Sequence, residues 1–116
     1  MVRLESLKKS NQFKKALKER KVHTEYFSIF AAKNFIKPIY KSNLLISFVM
    51  KKKIGNAVKR NKIRRKLKAI VQKLLKKRGA INMDYTYIVF GKSKAYTQNH
   101  DTLLQSMEKS FSKIKK

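Results

Sequence analysis

Hydrophobic positions recur along this chain with two spacings, and each spacing predicts an element. In residues 10–20, Phe13, Ala16 and Leu17 fall at i, i+3 and i+4, one apolar stripe of a short helix with Ser10 placed to cap it. Residues 25–33 carry the run Tyr26-Phe27-Ser28-Ile29-Phe30, which favours a strand. Phe27, Ile29 and Ala31 make its more apolar face, and Phe30 shares the other face with Tyr26, Ser28 and Ala32. Residues 34–43 hold Pro38 and read as a connection. Residues 44–50 are apolar at odd and even positions alike, so both faces of this second strand should be covered. Gly55 and Asn56 break the pattern before a long helix over residues 57–77, where Ile63, Leu67, Ile70, Val71 and Leu74 keep a helical period. Arg78-Gly79 supplies a glycine past its last turn. Residues 84–91 read as a third strand, again apolar on both faces. Leu103, Leu104, Met107, Phe111 and Ile114 stripe a last helix over residues 101–113, with Asp101 as N-cap. The order is α-β-β-α-β-α, with a fourth strand expected in residues 36–41 or 50–54. A small sheet with helices packed on it, an α+β fold, is the natural solution.

One domain over residues 1–116 is the simplest organisation, with 1–9 and 114–116 as ragged ends. Charge then narrows the function. There are 31 Lys+Arg against 6 Asp+Glu, a formal net charge of +25. So much like charge opposes compaction, and a dense polyanion relieves it. Nucleic acid is the obvious partner, because each neutralised phosphate releases a counterion. A membrane is not expected: no apolar run approaches the roughly 20 residues needed to span one, and there is no cysteine to acylate. Without cysteine there is no disulfide, thiolate metal site or Cys nucleophile. No apolar signal core follows the N-terminus, so a cytoplasmic location is expected.

Placed on a wheel with Arg60 at the origin, Arg64, Lys68, Asn61 and Arg65 fall within about 140° on one continuous face. That face lies beside the apolar stripe, not on it. Lys59, Lys62, Lys66 and Lys73 fall on the outward side. Guanidinium groups grip phosphates bidentately, and Asn61 can accept as well as donate. Gly55 permits a close backbone approach. A solvated basic helix face is the bland alternative, but arginine is concentrated here in a chain otherwise dominated by lysine.

The stretch Lys53-Ile54-Gly55-Asn56-Ala57-Val58, followed by Arg60-Asn61 and Ile63-Arg64-Arg65, closely resembles the signature of the bacterial ribonuclease P protein family. Asn11-Gln12-Phe13 in a first helix and Asp84-Tyr85 at a late strand resemble its flanks, and the resemblance covers essentially the whole chain. It implies a small α+β sandwich with a four-stranded sheet and an unusual left-handed β-α-β crossover, like the second domain of ribosomal protein S5. It implies the accessory subunit of an endoribonuclease whose catalytic subunit is RNA, with Mg²⁺ held mainly by that RNA. The partners would be ribonuclease P RNA and the 5′ leader of precursor tRNA, one protein per RNA with a dimer as the alternative. Residue by residue, Arg60, Asn61, Arg64, Arg65 and Lys68 match positions that face the catalytic RNA, and Lys53, Gly55 and Asn56 of the same motif extend that surface. Phe13, Leu17 and Phe30 match a cleft for the single-stranded leader, which Tyr26 would join by strand parity. The chain departs from the family at Leu17, where an aromatic is frequent, and at Lys68, where Arg is common.

Phe13, Leu17 and Phe30 could equally be core residues on spacing alone. His23 and His100 are far apart and lack ligand neighbours. The carboxylates Glu5, Glu19, Glu25, Asp84, Asp101 and Glu108 form no acid/base or two-metal spacing, and no glycine loop is built for phosphate. A self-sufficient protein nuclease is therefore not expected. A ribosomal protein would share the size and charge but does not explain the pattern of residues 55–65, and a nonspecific DNA-binding protein is a third reading, which equal competition by duplex DNA and structured RNA would support.

Overall fold

The strand-like segments pair into one mixed sheet, and the helical segments pack on it. The structure is a computed structural model and describes residues 4–7, 10–33, 43–77 and 79–115. Its elements are β1 (Leu4–Glu5), α1 (Ser10–Ala16), β2 (Arg20–His23), β3 (Phe27–Lys33), β4 (Leu44–Val49), α2 (Ala57–Leu75), β5 (Tyr85–Gly91) and α3 (His100–Lys115). Single 3₁₀ turns, Lys52–Ile54 and Ser93–Tyr96, precede α2 and α3. The strand order is β1-β4-β5-β3-β2. β4 and β5 run parallel with α2 between them in sequence, β1 is parallel to β4, and β3 is antiparallel to both β5 and β2.

Five strands stand where four were expected. β2 reads Arg-Lys-Val-His, an edge strand whose single apolar residue gives no alternation to detect. β1 is two residues long. Of the two places proposed for a fourth strand, residues 52–54 form a 3₁₀ turn and residues 36–41 lie outside the described residues. α1 begins at Ser10 itself and ends at Ala16, because the chain must turn before β2. α2 stops at Leu75, and Gly79 takes a positive φ of 77° beyond the cap at Lys76. α3 is capped by Asn99, whose Oδ1 accepts from the Thr102 amide at 2.8 Å, so Asp101 sits in the first turn, where its charge still favours the helix dipole.

The two faces of the sheet are covered unequally. Phe27, Ile29 and Ala31 of β3, Leu44 and Ile46 of β4, and Tyr85, Tyr87 and Val89 of β5 face one large core. The α2 stripe, Ile63, Leu67, Ile70, Val71 and Leu74, and the α3 residues Leu103, Met107, Phe111 and Ile114 close it. Tyr87 is fully buried and donates to the Asn82 carbonyl at 2.6 Å; burial pushes its pKa upward. Gly91 ends β5 under α2, and a Cβ there would lie 2.3 Å from Met50 Sδ and 2.9 Å from Ile63 Cγ2. On the opposite face Leu7, Ala16 and Ile88 are buried, with Phe13, Phe30, Val49 and Phe90 only partly so. α1 has seven residues, too few to roof that face. Among the described residues, what it leaves uncovered is a groove.

Candidate nucleic-acid interface

The start of α2 is set by two neighbouring residues. Gly55 has φ +154°, a conformation L side chains rarely adopt, and a Cβ would meet Lys59 Cδ at 2.8 Å. Asn56 caps the helix, its Oδ1 accepting from the Lys59 amide at 2.9 Å. With Ile63 and Leu67 buried, the other side of the first turns is forced outward. Asn61, Arg65 and Lys68 are exposed there, while Arg60 and Arg64 are half-buried. Arg64 donates to Asn61 Oδ1 at 2.8 Å, which fixes one guanidinium edge and leaves its other donors outward. The Nε of Arg60 is shielded and has no hydrogen-bond partner among the described residues. No carboxylate among the described residues pairs with Arg60, Arg64 or Arg65; the ion pairs found there are Lys77–Glu108 and Lys94–Glu25. Asn61, Arg64, Arg65 and Val58 line a shallow hollow of about 460 Å³. Val58, 72% exposed, is an apolar residue that the wheel places on the polar face, a signal the sequence held but that charge-based reasoning passes over.

The lysines expected on the outward side divide. Lys73 is exposed. Lys66 instead spends its ammonium on the carbonyls of Ala95, Tyr96 and Gln98, at 3.0, 2.9 and 2.7 Å. Burial, and after it the charge of Lys62, holds its pKa below the ordinary lysine value. Lys59 donates to Ser93 Oγ at 2.7 Å, and the ammonium groups of Lys59 and Lys62 lie 5.3 and 4.7 Å from the Tyr96 ring centroid. A wheel describes one helix; it cannot foresee the 3₁₀ turn after β5 folding over these side chains.

The groove on the open face of the sheet holds about 390 Å³ and is lined by Leu17, His23, Ser28, Phe30, Lys51, Lys53, Phe90, Gly91 and Lys92. Its floor is a row of rings. His23 meets Phe30 edge-on at 5.7 Å, and Phe30 meets Phe90 at 5.4 Å and 84°. His23 Nδ1 and Ser28 Oγ are hydrogen-bonded at 2.6 Å, which orients the imidazole. Lys51 Nζ sits 5.6 Å from the Phe90 centroid. Lys92 donates to the Thr24 carbonyl at 2.6 Å. A second hollow of about 220 Å³, lined by Lys51, Lys53, Ile54, Gly91, Lys92 and Ser93, continues the groove toward the start of α2.

Of the four residues assigned to a cleft, Leu17 and Phe30 line the groove, while Phe13 of α1 packs, partly buried, on the cluster of Leu7, Ala16 and Ile88. Tyr26 is elsewhere. It precedes β3, so strand parity does not reach it; its ring packs on the large core and its hydroxyl accepts from Gln98 Nε2 at 3.1 Å. Lys53, assigned with the α2 face, lines the groove and its continuation. Phe90, His23, Lys51 and Lys92 were not foreseen. Phe90 lies in a strand apolar on both faces, where parity cannot tell core from groove, and a lone His23 gives the sequence only a metal-ligand question.

Among the described residues no three His, Cys, Asp or Glu side chains gather. No helix of the described residues is long and apolar enough to cross a membrane.

A sequence model of the family described as Ribonuclease P matches residues 1–115. Among solved structures, the Staphylococcus aureus RNase P protein is similar at 25% identity and TM-score 0.69, over 95% of this chain and 94% of that one. A mutant of the Staphylococcus aureus protein, described as defective in mRNA degradation activity, gives 22% identity and TM-score 0.74 over 95% and 87% of the two chains. The RNase P protein from Thermotoga maritima gives 22% and 0.72 over 94% and 96%. No match is found among curated proteins. With a family match running from the first residue to the penultimate one, on a fold shared with these structures, the chain belongs to the Ribonuclease P family of bacterial RNase P proteins.

Proposed function

We propose that this chain serves its RNA-containing holoenzyme by two separate contacts: the Arg-rich start of α2 docks on the catalytic RNA, and the aromatic groove takes the 5′ leader of precursor tRNA. Family membership makes the chain an RNA-binding component of tRNA processing. The observation that carries the finer reading is the state of the α2 face. Arg64 and Arg65 present guanidinium donors that no acid of the described chain neutralises, around a hollow open to solvent. A guanidinium in that state binds phosphate bidentately without first breaking an internal ion pair. Lys68, Lys53, Asn56 and Gly55 flank or shape the same surface. The groove supports the second contact by its chemistry: rings on the floor and lysines on the rim suit an unpaired, backbone-charged strand, each stacked base contributing roughly 1–3 kcal/mol.

The chemistry of cleavage belongs to the RNA in this reading. The Mg²⁺ would be held by RNA phosphates. What the protein supplies is positive charge that lowers repulsion between two RNAs, and a track that orients the leader. The holoenzyme is taken as one protein per RNA, in the cytoplasm.

The test is reconstitution. The chain alone should cleave no precursor tRNA, yet with its cognate RNA at low Mg²⁺ it should speed cleavage. Absence of that gain overturns the proposal.

A further inference from the structure

Two phenylalanine rings of the groove, Phe30 and Phe90, are only half-buried. Phe90 is the last side chain of β5 before Gly91, directly across from Ser28 on β3 and Val49 on β4. It is half-buried, whereas Ile88, two residues earlier on the same face, is fully buried beneath α1. Phe30 supports it edge-on. Its neighbour on the wall, Leu17, is aliphatic and 38% exposed, so the aromatic surface of the groove is concentrated at Phe30 and Phe90. Three lysines line the groove with Phe90, and one of them, Lys51, rests over its ring while remaining exposed.

We propose that Phe90 is the stacking platform of this groove for one unpaired nucleobase, and that Lys51 moves from the ring to the adjacent phosphate when the base arrives. The proposal rests on the reading of the groove as the leader site. A lone ammonium over an exposed ring is a weak contact. A nucleobase offers the same ring a full π face and outcompetes it. The displaced ammonium is then beside the backbone of the strand that displaced it, where it releases a counterion. Lys53 and Lys92 continue the phosphate track toward α2, so the strand would leave the groove on the side of the Arg-rich face. His23, locked to Ser28, closes the opposite end of the ring row.

The experiment uses the holoenzyme reconstituted with its cognate RNA and precursor tRNAs carrying 2-aminopurine at successive leader positions. One position should be quenched on binding. Phe90→Leu should abolish quenching at that position and cut the affinity gained from the leader by about tenfold. Lys51→Met should lower the salt slope of leader-dependent affinity by about one unit. If Phe90→Leu retains both quench and affinity while Phe30→Leu loses them, Phe90 is not the platform and the leader reading of the groove survives. If leader length and both variants change nothing, the leader reading falls and the proposal with it. Phe90→Met, unbranched and apolar, replaces the leucine variant if thermal unfolding shows that variant misfolded, and must give the same losses.

Discussion

Arg65 and Lys73 lie on the same helix, both exposed, yet they should not count equally. Arg65 lines the hollow with Asn61 and Arg64 and can present a planar fork to a phosphate, while Lys73 lies two turns away as a point charge. Arg65→Ala should weaken binding to the cognate RNA by about 1–2 kcal/mol, and Lys73→Ala clearly less, measured by filter binding at fixed salt. Equal losses would mean that charge alone matters and the arginine face is not special. Lys66 shows the opposite use of a basic side chain. Its three carbonyl bonds fasten the Ser93–Tyr96 turn and the entry to α3 onto α2. Lys66→Met should therefore cost roughly 1–2 kcal/mol of stability, seen as a lower urea midpoint at unchanged slope. An unmoved midpoint would show that the turn is held by Ala95 and Tyr96 packing instead.

At the scale of elements, α2 joins the core to the RNA-facing surface. Its stripe was plain in the sequence because five buried residues recur with the helical period. Leu67→Ala should destabilise the protein by about 2–5 kcal/mol, since it empties a fully buried site. Asn56→Ala should cost about 1 kcal/mol by removing the cap, and thermal unfolding reports both. β3 and β5 divide differently, with alternate residues facing core and groove. Phe30→Ala should reduce the affinity gained from a leader by roughly 1–3 kcal/mol, read from a precursor series with shortened leaders. If full-length and trimmed leaders respond alike, the Phe30 side of β3 is not a leader contact. Parity puts Phe30 on the face away from the large core and does not reach Tyr26, because the strand starts at Phe27 and alternation holds only inside a strand.

For the whole molecule the governing quantity is a net charge of +25. Salt should act on it in two opposite senses. Screening relieves self-repulsion, so the thermal midpoint of the free protein should rise with added KCl. The same salt competes with counterion release, so affinity for RNA should fall steeply. A free-protein midpoint that drops with salt would mean that the described ion pairs, Lys77–Glu108 and Lys94–Glu25, outweigh the excess of like charge.

The α+β class, the three helices and the three main strands were legible in the sequence because they depend on local periodicity, and residues 53–68 stood out as the basic signature. The sequence also foreshadowed Gly55 and Asn56 at the start of α2, since a helix entrance is a local event. It was silent on β1 and β2, whose few residues are strands only because neighbouring strands supply hydrogen-bond partners. Nor could it separate lysines that face solvent from Lys59 and Lys66, which a distant turn partly covers. The groove was implied only by the family resemblance, not by any local pattern. It exists because a seven-residue α1 roofs only part of a sheet face, and that shortfall is a relation between elements far apart in the chain. Burial, exposure and the meeting of Phe30 with Phe90 are long-range facts, and only packing decides them.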